Sequence, residues 1–309
     1  MSEERSKAKR PSVFVIVLAT IGGLALLSFL SFISLIFILV LKGNVHTDSI
    51  SSGEGIGIVS IEGLIASADK TLEILRDFEQ NEDVKAIIVR IDSPGGAVGA
   101  SQEIFQALKQ IDQQKPVVAS LVNTAASGAF YIACGARYII SNPGTVTGSI
   151  GVIMKLPNIS GLLEKLGIRT TVIKSGKLKD LASITRDLTE EERKVLKTVL
   201  DDVHEQFIRD VATGRGLNFE KVKEIADGRI FSGRQALELK LVDELGNFQT
   251  AIKKASSFGK IKGTPRLIYP QKDKLTAIKE ILEDSGASII LRFLKILLQQ
   301  ESHSLLVAS

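Results

Sequence analysis

The chain contains no tryptophan and three tyrosines in 309 residues, so it lacks the aromatic platforms on which single-stranded nucleic acids stack. Its 39 lysines and arginines face 35 acidic residues, a net charge of +4. The basic residues are spread out, and no block of them forms the footprint of a nucleic-acid binder. There is one cysteine, Cys134, which excludes an intramolecular disulfide. Small and apolar neighbours mark it as a buried hydrophobe. The three histidines, His46, His204 and His303, stand far apart, and no His/Cys set has the spacing of a structural zinc site.

The chain is 44% hydrophobic, enough to bury a large core. Residues 13–41 carry no charge at all. A span needs about 20 apolar residues, whereas a secretory signal has an apolar region of only about 7–15 residues, so this run is expected to be an uncleaved transmembrane anchor. Arg5, Lys7, Lys9 and Arg10 precede it; after Lys42 there is no further basic residue until Lys70. The positive-inside rule then leaves residues 1–12 in the cytoplasm and the rest on the extracytoplasmic side of the cytoplasmic (inner) membrane. Residues 42–55 include "GNVHTDSISSGEG", a polar linker. The tail, 263–309, holds "SIILRFLKILL", too short to span and interrupted by Arg292 and Lys295; it is expected to be an amphipathic or interface helix.

Between linker and tail, over 56–262, short apolar runs alternate with amphipathic stretches. "IGIVSIEG", "VKAIIVRI" and "PVVASLV" read as strands, the second buried on both faces. "DKTLEILRDFEQ", with Leu72, Leu75 and Phe78, and "AVGASQEIFQALKQI" read as helices. "RYII", "GSIGVIM" and "RTTVIKSG" are expected to be further strands. A long helix is expected from residue 190 to 212, started by a Thr189/Glu192 capping box and striped by Val195, Val199, Val203, Phe207 and Val211. The fold class is α/β with a largely parallel sheet.

Within "NTAASGAFYIACGA", residues 123–136, one serine stands among small residues. Small neighbours let a helix lie close on a sheet, and they also let a substrate reach a hydroxyl. A serine nucleophile needs a base and an oxyanion hole. His46 lies in the linker, His303 in the tail and His204 within the long helix, so none is placed as a base. Lys174, Lys177 and Lys179 of "VIKSGKLKDLAS" follow an apparent strand. A lysine can act as a base where burial disfavours its charge, and composition does not choose among these three. "RIDSPGGAVGA" is a glycine turn between strand and helix, whose N–H groups can face developing negative charge. Gly128, directly after Ser127, can supply another.

"DSPGG", "AASGAFYIA", "TVTGSIGVI" and "SGKLKD", in this order behind an N-terminal anchor, resemble the bacterial signal peptide peptidase A (SppA) family. These are the S49 Ser–Lys serine proteases, with a Clp-protease/crotonase-like fold. The resemblance runs from about residue 55 to 257. It implies that Ser127 is the nucleophile and Lys179 the general base. It further implies that Gly96 and Gly128 form the oxyanion hole and that Ser149 orients the lysine; Asp92 is structural. No cofactor, metal or nucleic acid is implied. The implied substrates are apolar peptides such as remnant signal peptides, and the implied assembly is a homo-oligomeric ring on the membrane. The sequence departs from the family around "KLKDLASIT", which lacks the family's proline after the lysine. Three rival readings are an acyl-CoA hydratase or isomerase on the same fold, a non-catalytic membrane scaffold, and a related membrane Ser–Lys protease with other protein substrates.

Overall fold

The computed structural model describes residues 22–24, 26–32, 34 and 54–270. The chain divides into two units, one from its two ends and one spanning Gly53–Pro270. In the first, residues 22–24 and 26–32 are helical. Among the described residues no helix is long and apolar enough to cross a membrane. Most of the expected anchor over 13–41 lies outside the described residues. So do residues 42–53 of the linker with His46, and the tail from residue 271 with "SIILRFLKILL" and His303.

The second unit is built on a largely parallel sheet. Its first three strands are β1 (Gly55–Glu62), β2 (Val84–Ser93) and β3 (Val117–Ala126), joined by helices α1 (Asp69–Gln80) and α2 (Val98–Ile111). β2 lies between β1 and β3, parallel to both. These strands are Ile- and Val-rich because both sheet faces are covered. Val59, Val89, Ala119 and Leu121 point to one face, under α1, α2 and their neighbours. Ile58, Ile88 and Val118 point to the other, under α8 (Phe248–Phe258). On α1, Leu75 and Phe78 are buried, as their spacing requires.

β3 has two partners along its length. Residues 118–121 pair with β4 (Tyr138–Ser141), and residues 124–126 pair with β5 (Val146–Gly148). β5 then pairs antiparallel with β6 (Ile230–Ser232), while β4 continues to β7 (Glu244–Leu245). The sheet therefore forks at the carboxyl end of β3, where "NTAAS" lies. At the far edge, β8 (Arg266–Ile268) flanks β1.

Three expectations are corrected. "GSIGVIM" is not a strand: β5 lies earlier, because Gly148 and Ser149 take φ of 79° and 51° and turn the chain out of the sheet. "RTTVIKSG" is not a strand either. It has no neighbouring edge to bond among the described residues, and Ile173 is 96% exposed. The long helix, α5 (Glu190–Arg215), forms with its Thr189/Glu192 capping box, but its stripe is buried only toward the C-terminal end. Phe207 and Val211 are covered, whereas Val199 is 52% exposed.

Candidate active site

Ser127 ends β3 and opens the short helix α3 (Gly128–Ala133). Its backbone has φ 55° and ψ −125°, a conformation that costs a non-glycine residue on the order of 1–3 kcal/mol. The turn is held from both sides. The Ser127 N–H donates to the Gly148 carbonyl at 2.8 Å, and the Tyr131 N–H donates to the Ser127 carbonyl at 2.9 Å. The hydroxyl, by contrast, has no hydrogen bond among the described residues. The small residues of "AASGA" serve both purposes: Ala125, Ala129 and Ala133 are fully buried, while Ser127 is only partly covered.

The "SPGG" turn meets this serine. Ile65 bridges it, donating to the Gly95 carbonyl at 3.0 Å and accepting from the Ala97 N–H at 2.7 Å. In such a bridge the N–H of the middle residue, Gly96, points away from Ile65. It points toward α3: a Cβ built on Gly128 would lie 3.3 Å from the Gly96 nitrogen. A Cβ on Gly95 would lie 2.7 Å from the Gly128 nitrogen and 2.9 Å from the Ser127 Cβ. Gly96 itself tolerates no side chain, because its Cβ would fall 2.0 Å from the Ile65 carbonyl oxygen. Gly128 is the first helical residue, so its N–H has no intrahelical acceptor. The turn thus brings two backbone donors to one serine.

A small cavity of about 20 Å³ lies at this point, bounded by Gly96, Ser127 and Gly128 on one side and by Tyr131, Val203 and Phe207 on the other. That is room for about one water molecule or a methyl group. Its floor is rigid. Tyr131 stacks on Phe207 at 4.5 Å and meets the edge of Phe105 at 5.2 Å. The Tyr131 hydroxyl donates to Asp210 and accepts from Gln102 Nε2 at 3.3 Å. Burial, reinforced by Asp210, raises the phenol's pKa and keeps it protonated. Sequence reading missed Tyr131, Val203 and Phe207 as site residues. For Val203 and Phe207 the only signal was the apolar stripe of α5, which reads equally as core; Tyr131 lies within "AASGAFYIA", beside Ser127.

Ser149 follows Gly148, the last residue of β5, which pairs with Ala126, so Ser149 and Ser127 each come directly after the end of neighbouring strands. Its own N–H is fixed to the Arg229 carbonyl at 2.8 Å. Asp92 accepts from Asn123 Nδ2 at 2.6 Å and from the Thr124 N–H at 3.1 Å, a structural tie across β2 and β3. His204 lies on α5 outside the cavity lining. Cys134 is buried, and burial pushes its thiol up to about 12.

The three lysines differ. Lys174 pairs with Asp180, and Lys177 pairs with Glu191 at 2.5 Å. Lys179 has no ion pair among the described residues and is exposed; it is not among the residues around the Ser127 cavity. The geometry therefore brings together Ser127, Gly96 and Gly128, with Ser149 alongside, and does not bring Lys179 to them within this chain. The segment carrying Lys179 is fixed by Arg186, whose guanidinium bonds Asp180 at 3.0 Å and Glu192 at 2.5 Å. These contacts lower both carboxyls: Asp180 through Lys174 first and then Arg186, and Glu192 to about 2 through Arg186 and the Thr189 N–H. Sequence reading missed Arg186, which no motif marks.

Comparison with known proteins places these residues in context. Residues 109–262 match the model of peptidase family S49, and residues 58–145 match that of Clp protease. A putative protease of Synechocystis sp. is 49% identical over 203 residues, covering 65% of this chain and 73% of that protein. A putative signal peptide peptidase SppA of Enterococcus faecium is 37% identical over 216 residues, 65% of this chain and 63% of the relative. The chloroplastic serine protease SPPA of Arabidopsis thaliana is 32% identical over 236 residues, 76% of this chain but only 35% of that longer protein.

Proposed function

The chain belongs to peptidase family S49 and is a serine peptidase, and from that premise we propose a membrane-anchored endopeptidase whose nucleophile is Ser127 and whose base is Lys179. The observation that carries the proposal is the meeting of the Gly96 and Gly128 backbone donors at the strained, unbonded Ser127. Neutral Lys179 takes the proton from Ser127 Oγ, and the oxygen attacks the peptide carbonyl. The two N–H groups hold the oxyanion, where one such donor is typically worth about 2.7–4 kcal/mol. Lys179 returns the proton to the leaving amine, then activates the water that frees the acyl-enzyme. Ser149 holds the lysine amine in line.

Lys179 is the lysine of choice because its two neighbours are already paired. Lys174 is tied to Asp180 and Lys177 to Glu191, which holds both amines within their own loop. Its exposure in the single chain is met by a second copy. The excursion from residue 160 to 183 leaves the domain through a neck, closed where the Ile159 N–H donates to the Ile184 carbonyl at 2.8 Å. Within this arm, helix α4 (Ser160–Lys165) buries no residue. Leu166 and Ile173 are 62% and 96% exposed, and Ile153, just before the neck, is 77% exposed. An arm with no core of its own gains its apolar burial from a neighbour. In a homo-oligomeric ring the arm of one subunit carries Lys179 to the Ser127 of the next.

The uncharged run over 13–41 supports a single-pass anchor with the peptidase unit outside the cytoplasm. The name of the Enterococcus relative and the apolar lining of the cavity support apolar peptides, remnant signal peptides among them, as substrates. The test is cleavage of a fluorogenic apolar peptide by full-length protein in detergent. Ser127→Ala and Lys179→Ala are each expected to lower kcat/KM by at least about 10³-fold with assembly unchanged. Activity surviving in Lys179→Ala but lost in Lys174→Ala or Lys177→Ala would assign the base elsewhere. A wild type that cuts nothing would return the scaffold reading.

A further inference from the structure

On the sheet face opposite Ser127 the packing changes character within one row. Ile58, Ile88 and Val118 lie buried with Ala251 and Ala255 of α8. Two residues along each strand, and on the same face, the row in register is Ser60, Arg90 and Ser120, polar where an apolar row would extend the core. A cavity of about 270 Å³ opens there, lined among others by Arg90, Ser120, Asn142, Asn247 and Phe248.

The uncommitted groups around it are donors. The Arg90 guanidinium lies 4.8 Å from the Phe248 ring centroid and has no ion pair among the described residues. No lining residue is acidic. The next carboxylate along β2, Asp92, is already engaged by Asn123 and Thr124; Glu62, beside it on β1, is exposed. Ser120 is 4% exposed and lines the cavity, and its hydroxyl has no hydrogen-bond partner among the described residues, leaving it free to bond a guest. Asn247 Oδ1 caps α8 by accepting from the N–H groups of Gln249 and Thr250 at 3.0 and 3.2 Å, leaving its Nδ2 amide to donate. The Phe248 N–H, first in an 11-residue helix, has no intrahelical acceptor, and the positive end of the helix dipole adds to it. A cation, a buried hydroxyl, an amide and a helix N-terminus facing one space suit an oxyanion. The planar guanidinium fork matches a carboxylate, and its single charge balances a monoanion.

We propose that this cavity binds a carboxylate group, carried by a small organic acid or by the C-terminus of a peptide, at a site separate from Ser127. The inference stands whether or not Ser127 and Lys179 form the catalytic pair. The test is equilibrium dialysis of labelled acetate, and of acetyl-alanyl-alanine against its C-terminal amide, with full-length protein in detergent at fixed ionic strength. Saturable binding of one carboxylate per chain is expected, with the amide excluded. Arg90→Gln is expected to weaken it at least about tenfold and Ser120→Ala by about three- to tenfold, the loss of a charged and of a neutral hydrogen bond. Ser120→Ala removes one oxygen, so it remains informative if Arg90→Gln does not fold. Peptidase activity is unchanged in both variants. Acetate binding that does not saturate, that survives both substitutions, or that gives way to phosphate as the only ligand overturns the proposal.

Discussion

Ser127 sits in a backbone conformation that glycine adopts freely and serine does not. Ser127→Gly removes that strain, on the order of 1–3 kcal/mol, and adds about 0.5–1 kcal/mol of chain entropy lost on folding. Relief of strain outweighs the added entropy cost, so the inactive variant is expected to unfold at a higher denaturant concentration than wild type. A lower midpoint would show that the turn is not strained in solution. The neighbouring glycine behaves oppositely. A Cβ on Gly128 would meet Ser101 Oγ at 2.3 Å, so Gly128→Ala is expected to cost about 1–3 kcal/mol by overpacking. Adding Ser101→Ala relieves the clash, since Ser101 Cβ is 3.3 Å away, and a double-mutant cycle by urea denaturation should give a favourable coupling. These residues were legible in the sequence because a lone serine among alanines and a glycine pair after a strand each have few other uses. Lys179 is singled out only by the resemblance of "SGKLKD" to the family's motif; composition alone does not separate it from Lys174 and Lys177, whose carboxylate partners Asp180 and Glu191 lie across the loop.

Among the elements, β1 to β3 and the helices between them follow from hydrophobic period alone, since both faces of those strands are covered within the chain. The readings that failed differ in cause: "GSIGVIM" is turned out of the sheet at Gly148 and Ser149 although Ile150 is buried, whereas "RTTVIKSG" finds no edge among the described residues, and apolar character alone does not say where a strand finds its edge. Helix α5 shows both outcomes in one element. Its covered half, with Val203 and Phe207, closes the cavity beside Ser127. Phe207→Ala is therefore expected to enlarge that cavity and to shift kcat/KM toward substrates with a leucine-sized residue before the cleaved bond, by about tenfold relative to alanine. An unchanged ratio in a series of peptides would mean that the substrate side chain goes elsewhere. At the start of the same helix, Glu192 is held near 2 by Arg186, below its ordinary 4.5. A depressed carboxyl contributes stability above its unfolded pKa and loses it as pH falls toward the folded one. The protection of the amides in 174–186, taken relative to the intrinsic exchange rate at each pH, should therefore be high above about pH 5 and fall between about pH 4.5 and 2. Glu192→Gln should leave that protection low throughout.

For the whole molecule, Lys179 lies away from the Ser127 cavity within one chain, so the proposed Ser–Lys pair makes assembly part of the chemistry. Ile173→Asp, on an arm with no core, is expected to reduce oligomer size on sedimentation and to abolish peptide cleavage. The isolated fold should be spared, because Ile173 touches little in its own chain. A variant that stays assembled and active would separate the arm from the site. Mixing inactive Ser127→Ala with inactive Lys179→Ala chains should restore part of the activity, since a mixed ring contains junctions with both groups intact. The neck at Ile159 and Ile184 then has a consequence for the life of the protein in the cell. On the proposed shared site, a newly made chain beside many unfolded neighbours would carry its nucleophile and its base apart and would be harmless to them. On that proposal activity would rise more steeply than chain number, and sparse copies would stay silent.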